Sequence, residues 1–187
     1  MKSQTKIYLA SKSPTRLRLL KQAGFNPIVI HSNYPEPDIP GLSPEELAKR
    51  HAYQKTREII VPHKSGVVVA CDTIVVSNEV VFGKPSNKKH AKQMLMRHSN
   101  SLVKVITGVC IRNLDTDQNF TCTNTSTIKF AKLEDSDLHW YLSHDEWQGK
   151  SGAFSIVGLG SRFVKSVRGD MMAIQGIPVS TLHKCLV

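Results

Sequence analysis

Cysteine is scarce in this sequence: four in 187 residues, at positions 71, 110, 122 and 185. No Cys-x-x-Cys pair and no Cys/His zinc spacing occurs, which argues against a disulfide framework or a structural zinc module. Aromatic residues make up only 6%, and no basic stripe is interleaved with them, which speaks against a surface that stacks bases along a nucleic-acid strand. Apolar runs are short. None approaches the roughly 20 residues needed to span a bilayer. The run Ile7-Tyr8-Leu9-Ala10 is too short for a signal-peptide core, so the expectation is a reduced, cytoplasmic protein with no membrane partner. Acidic residues are the last shortage: 15 Asp and Glu face 25 Lys and Arg, a formal net charge of +10. That balance favours a polyanionic partner, whether nucleotide phosphates, nucleic acid or an acidic surface.

The length suits one domain over residues 1–187 with a sizeable core. A first strand is expected at Ile7–Ala10, then a helix with Ser13 as N-cap, Pro14 in its first position and Gly24 to end it. A short strand near Ile28–Ile30 leads into a proline-rich loop from Pro35 to Pro40. Ser43-Pro44-Glu45-Glu46 has the signature of a capping box and starts a helix to about Ile60. Strands are expected at Gly66–Val76, Val80–Phe82, Val103–Ile111, Thr121–Phe130 and Phe163–Val167. Helices are expected from about Ser86 to His98, from Asp135 or Ser136 to Leu142, and after Gly176-Ile177-Pro178. Hairpin-like neighbours mixed with β-helix-β spacing predict an α/β fold with a mixed sheet flanked by helices.

Few residues stand out as chemistry. Asp72 lies inside Val67–Val76, a run of β-branched residues where an unpaired carboxylate would cost several kcal/mol. It either marks a cleft, a partner or a metal, or caps a turn between two strands. Ser11, Lys12, Ser13 and Arg16 surround a helix N-terminus, which suits a phosphate but equally describes a capped helix with solvated basic residues. In Gly83-Lys84-Pro85 the proline keeps Lys84 extended, so it aims at an anion or decorates a surface turn. Helical spacing puts His51 and Lys55 on the same side as Leu47, Ala48 and Ala52, where a histidine is commonly a core residue and a lysine can bury only its stem. Glu36 gains meaning only if the fold brings it to Asp72, because two carboxylates repel unless a proton or cation sits between them.

In their order, these pieces resemble the Maf (septum-formation-like) family of nucleoside triphosphate pyrophosphatases. The matching segments are Leu9–Arg16, Glu36, Leu47-Ala48, Asp72-Thr73, Gly83-Lys84-Pro85 and Val105–Val109, followed by Lys150–Phe154, Gly158-Leu159-Gly160 and Gly176–Val179. The resemblance implies an elongated, twisted mixed sheet with helices, two lobes around a nucleotide cleft (the ITPase/Maf-like fold), and often a homodimer. It implies cleavage between the α and β phosphates of a nucleoside triphosphate, giving a monophosphate and diphosphate. Asp72 falls at the position that activates water; Glu36 with Asp72 would hold Mg²⁺ or Mn²⁺. Ser11, Arg16 and Lys84 match positions that contact phosphate or position the metal site, and Ser13 is a substrate-binding candidate beside them. The likeness also suggests a part in removing unwanted nucleotides or in septum formation and growth control.

The chain departs from the family pattern at His51, where a lysine is usual. Lys55, one turn further along, is the expected replacement for that charge. Three positions linked to the base map to Thr15, Thr73 and Val157. The dTTP/UTP-type branch usually has Arg, Thr and Gln there, and the 7-methyl-GTP-type branch Trp, Gln and Glu. Thr73 favours the first branch; Thr15 and Val157 match neither. The expected substrate is therefore a dTTP/UTP-type or modified triphosphate, with no stable nucleic-acid partner. The alternatives are a non-catalytic nucleotide-binding regulator and a basic nucleic-acid-binding module.

Overall fold

The structure is a computed structural model that describes residues 5–62 and 65–186. Among the described residues seven strands, β1 (Ile7–Ala10), β2 (Ile28–Ile30), β3 (Val67–Ser77), β4 (Val80–Phe82), β5 (Leu102–Asn113), β6 (Asn119–Phe130) and β7 (Val164–Arg168), are interspersed with helices. These are α1 (Pro14–Gln22), α2 (Pro44–Glu58), α3 (Lys88–His98), α4 (Asp135–Leu142), α5 (Met171–Ile174) and α6 (Val179–Leu186). The sheet order is β2-β1-β3-β5-β6-β7, with β4 paired to β3. β1 runs parallel to β2 and β3, while the β3–β4 and β6–β7 pairs are antiparallel, so the sheet is mixed as expected. None of the helices among the described residues is long and apolar enough to cross a membrane.

Local chemistry accounts for most boundaries. Ser13 and Ser43 cap α1 and α2, each with proline in the first turn. Glu46 completes the capping box by accepting from Ser43 N at 2.9 Å, and the hydrogen bond from the Ser43 hydroxyl holds its carboxyl below the usual range. α2 stops at Glu58, short of Ile60, where the backbone of Ile59 turns extended. Helix α5 was not legible beforehand; it is four residues long and stands on the Asp170 side chain, which accepts from Met172 N and Ala173 N. The glycine-punctuated stretch holds two 3-10 segments, Ser151–Ala153 and Leu159–Phe163, which have no hydrophobic period to betray them.

The chain divides into two compact units. One comprises residues 1–72, 107–124 and 176–187, the other 73–106 and 125–175. In the first, Leu9, Val69, Cys71 and Val109 from the sheet pack against Leu19 and Leu20 of α1 and Ile177 and Leu182 near the C-terminus. Gly108 has a specific reason to be glycine: a Cβ there would drive into the Ala48 carbonyl of α2. It lets the helix backbone lie directly on the strand, and that contact sets the height of α2 over the sheet.

In the second unit, Val75, Phe82, Leu95, Ile128, Phe130 and Phe163 belong to a separate core. His98 is fully buried within it, its ring 4.9 Å from that of Phe82 and 5.4 Å from that of Phe130. Nε2 donates to the Gly152 carbonyl at 3.0 Å, and burial pushes the imidazole down to about 4.

Two predictions test this packing. Gly108→Ala, which overpacks the α2–β5 contact, should destabilise the protein by about 1–3 kcal/mol in urea denaturation. The second concerns acid. Between about pH 6.5 and 4 the unfolded chain binds the proton that folded His98 refuses, so stability is intact above that window and declines as pH falls through it. His98→Gln, which keeps a donor but does not titrate, should have a shallower decline in pH-dependent melting.

Candidate active site

The first unit brings together three of the sequence-predicted residues, two carboxylates around one ammonium. Lys55 Nζ lies 2.6 Å from Asp72 Oδ1 and 2.6 Å from Glu36 Oε1, and donates to the Cys71 carbonyl at 3.4 Å. The Lys55 and Asp72 side chains are 7% and 8% exposed, that of Glu36 36%, so the cluster opens to solvent on the Glu36 side. Asp72 sits mid-way along a continuous eleven-residue strand, which rules out the turn-cap reading. Glu36 has φ of 52°, a left-handed conformation uncommon for a residue with a side chain.

His51 and Lys55 stack one turn apart on the buried face of α2. Helical side chains lean toward the N-terminus, so a long lysine at 55 can bring its ammonium back over the turn that carries residue 51. The shorter His51 packs against Tyr34, with ring centroids 5.6 Å apart, and its Nδ1 is buried without a hydrogen-bond partner. Burial lowers the His51 pKa; the Asp72 and Glu36 carboxylates oppose that shift and Lys55 reinforces it. His51 is therefore mainly neutral at pH 7, and the charge at the carboxylates comes from Lys55.

The same unit holds the β1–α1 turn. Ser11 is buried, and its Oγ accepts from Ser13 N at 3.1 Å and from Arg16 Nη1 at 3.3 Å. Ser13 Oγ caps the helix by accepting from Arg16 N at 3.4 Å. Arg16 Nε donates to the Gly176 carbonyl at 2.8 Å, so the Gly176-Ile177-Pro178 segment fixes the guanidinium. Sequence reasoning gave no role to Gly176; the signal was the tripeptide itself, but a backbone acceptor has no side chain to announce it. Thr15 is half-buried on the first turn of α1.

Thr73, Lys84 and Val157 belong to the second unit. The Thr73 carbonyl accepts from Ser151 Oγ at 3.1 Å, and Gly152 N donates to the Gly83 carbonyl at 3.0 Å. With His98 bound to the other side of Gly152, a run of hydrogen bonds leads from the buried core to the residue before Lys84. Val157 is 56% exposed. Glu146, which sequence reasoning missed, anchors the following turn: its carboxylate accepts from Leu159 N and Gly160 N, each at 3.0 Å. A Cβ on Gly158 would collide with that carboxylate.

Glu36 and Asp72 offer hard oxygen donors that already converge on one cation, the ammonium standing where a metal ion would be attracted. Both oxygens are 2.6 Å from the same nitrogen, so their separation cannot exceed twice that distance, and a small inward movement would let them share an ion. No group of three His, Cys, Asp or Glu side chains forms a closed metal site among the described residues. Water and phosphate oxygens would have to complete the shell, as is common for Mg²⁺. The donor set fits such an ion.

Comparison with known proteins adds an independent line. A family model described as Maf-like protein matches residues 6–187. The chain is 35% identical over 181 residues to the dTTP/UTP pyrophosphatase of Methanosarcina barkeri, covering 96% of this chain and 92% of that one. It is 35% identical over 180 residues to the dTTP/UTP pyrophosphatase of Clostridioides difficile, covering 96% and 93%. Among solved structures it resembles a nucleoside-triphosphatase (dITP/XTP pyrophosphatase) from Mycobacterium abscessus, at 13% identity and a TM-score of 0.42, covering 68% of this chain and 74% of that one.

Removing Lys55 separates a buried ion cluster from a surface one. Lys55→Met should destabilise the protein by on the order of 3 kcal/mol, since it leaves carboxylates facing each other without a cation. Lys132→Met, which breaks the solvated 3.0 Å pair with Glu134, should cost less than about 1 kcal/mol in the same urea titration.

Proposed function

The chain belongs to the Maf-like family, and from that premise we propose that it is a nucleoside triphosphate pyrophosphatase, cleaving between the α and β phosphates to release a nucleoside monophosphate and diphosphate. The observation that carries this reading is the convergence of Glu36 and Asp72 on a single cation, on rigid elements, in a chain similar over its length to enzymes named for that reaction.

Asp72, anchored on β3, takes the proton of the attacking water. Glu36 and Asp72 would hold Mg²⁺ or Mn²⁺, which would supply charge neutralisation and acidify water there. Ser11, Ser13 and Arg16 at the α1 N-terminus, together with Lys84, balance charge on the leaving diphosphate; such preorganised donors are each worth roughly 2.7–4 kcal/mol in oxyanion-type deletions. Lys55 serves in place of the lysine usual at position 51. Residues 1–187 act as one pyrophosphatase domain, in the cytoplasm, as a homodimer.

The relatives' names favour dTTP and UTP, and Thr73 agrees with them. Thr15 and Val157 do not. The Val157 side chain has no polar atom to bond a base edge, and a pocket without that bond discriminates weakly. The substrate set is accordingly broader than that of the dTTP/UTP branch and extends to modified pyrimidine triphosphates.

The test is a panel of natural and modified nucleoside triphosphates with Mg²⁺ or Mn²⁺, resolving diphosphate from orthophosphate. Diphosphate and a monophosphate should appear, and Asp72→Asn should slow their release by about 10²–10⁴-fold. Orthophosphate with a nucleoside diphosphate would point to a different hydrolase.

A further inference from the structure

The Lys55 ammonium and a divalent cation would compete for the same two oxygens. Lys55 Nζ is 2.6 Å from Glu36 Oε1 and 2.6 Å from Asp72 Oδ1, which leaves no room for a metal ion between them while the lysine stays. A lysine has a flexible four-carbon stem and a compact charge, so it can leave without moving α2. The exit lies on the Glu36 side, the solvated part of the cluster.

We propose that Lys55 is an exchangeable internal counter-ion of the Glu36–Asp72 pair: it holds the carboxylates together in the metal-free protein and must swing away before a divalent cation can bind. Two consequences follow from simple linkage. The nucleotide-free protein binds metal weakly, because each binding event breaks two short ion pairs. Triphosphate favours the exchange, since it offers the released ammonium a new anionic partner. Lys55 thereby couples metal loading to substrate arrival. This inference rests on reading Glu36 and Asp72 as the metal pair.

The experiment is Mn²⁺ binding to the nucleotide-free protein, followed by electron paramagnetic resonance, for the wild type, Lys55→Gln, Lys55→Met and Asp72→Asn. Lys55→Gln keeps a hydrogen-bond donor for the carboxylates and guards against a folding failure of Lys55→Met. Both Lys55 variants should bind Mn²⁺ at least tenfold more tightly than wild type, and Asp72→Asn should abolish binding. A second measurement uses the unaltered protein: Lys55, protected from reductive methylation without metal, should become reactive when Mg²⁺ is added, as read by peptide mass spectrometry. Equal or weaker binding in both Lys55 variants, or a Lys55 that stays protected with metal bound, overturns the exchange while leaving the metal pair intact. Mn²⁺ binding that Asp72→Asn does not weaken overturns the metal pair itself, and the exchange with it.

Discussion

One ammonium between two carboxylates is the constraint on which the first unit depends. Asp72 is buried on a strand whose neighbours are almost all apolar, where a carboxylate without a cationic partner is costly. The cation arrives on α2, so the helix must lie close enough for a lysine to reach the strand. Gly108 provides that closeness by leaving the Ala48 backbone nothing to strike. The Ser43–Glu46 capping box and Pro44 fix where the helix starts, and therefore which turn faces Asp72. Glu36 then joins from a loop, at the cost of a left-handed backbone, which a fold holds only where surrounding contacts determine it.

The second unit solves a different problem, that of holding the turn that leads into an exposed lysine. Lys84 is on the surface, and proline restricts only its backbone. What fixes the segment is a chain of hydrogen bonds from the core: His98 to the Gly152 carbonyl, then Gly152 N to the Gly83 carbonyl. A neutral imidazole walled by phenylalanine rings is a rigid donor, because protonating it there is unfavourable. Gly152 has to be glycine on two counts, a φ of 70° and a side-chain position filled by Val75 and His98.

Legibility in the sequence followed range. Local rules placed the strands and long helices, because capping, proline and alternation act within a few residues: Ser13 and Ser43 cap where they should. Asp72 was visible as a charge out of place, and the vacancy at position 51 pointed to Lys55 through helical spacing alone. The meeting of Glu36 with Lys55 was not visible, since no local rule joins a proline-rich loop to a helix nineteen positions on. Glu146, Gly176 and His98 escaped for the same reason: each bond joins a side chain to backbone atoms of a segment far away in sequence. Helix α5 was missed because its stability comes from one aspartate cap and not from a periodic face.

The bulk charge of +10 is a poor guide to how such a site meets a triphosphate. At the cluster itself the balance is reversed: two carboxylates and one ammonium sum to a single negative charge, and neutral His51 adds nothing. A polyanion approaching that cluster unaided is repelled over a distance of a few Å in a medium of low dielectric, where screening by salt is weak. Long-range positive charge can bring a polyanion near; it cannot reverse the sign at the cluster itself. A carboxylate base has to keep its negative charge to accept a proton, so the sign cannot be changed by removing Asp72 or Glu36. In the proposed reaction a divalent cation therefore matters for electrostatics as much as for chemistry, since it cancels the charge of the two carboxylates and frees the Lys55 ammonium to meet phosphate.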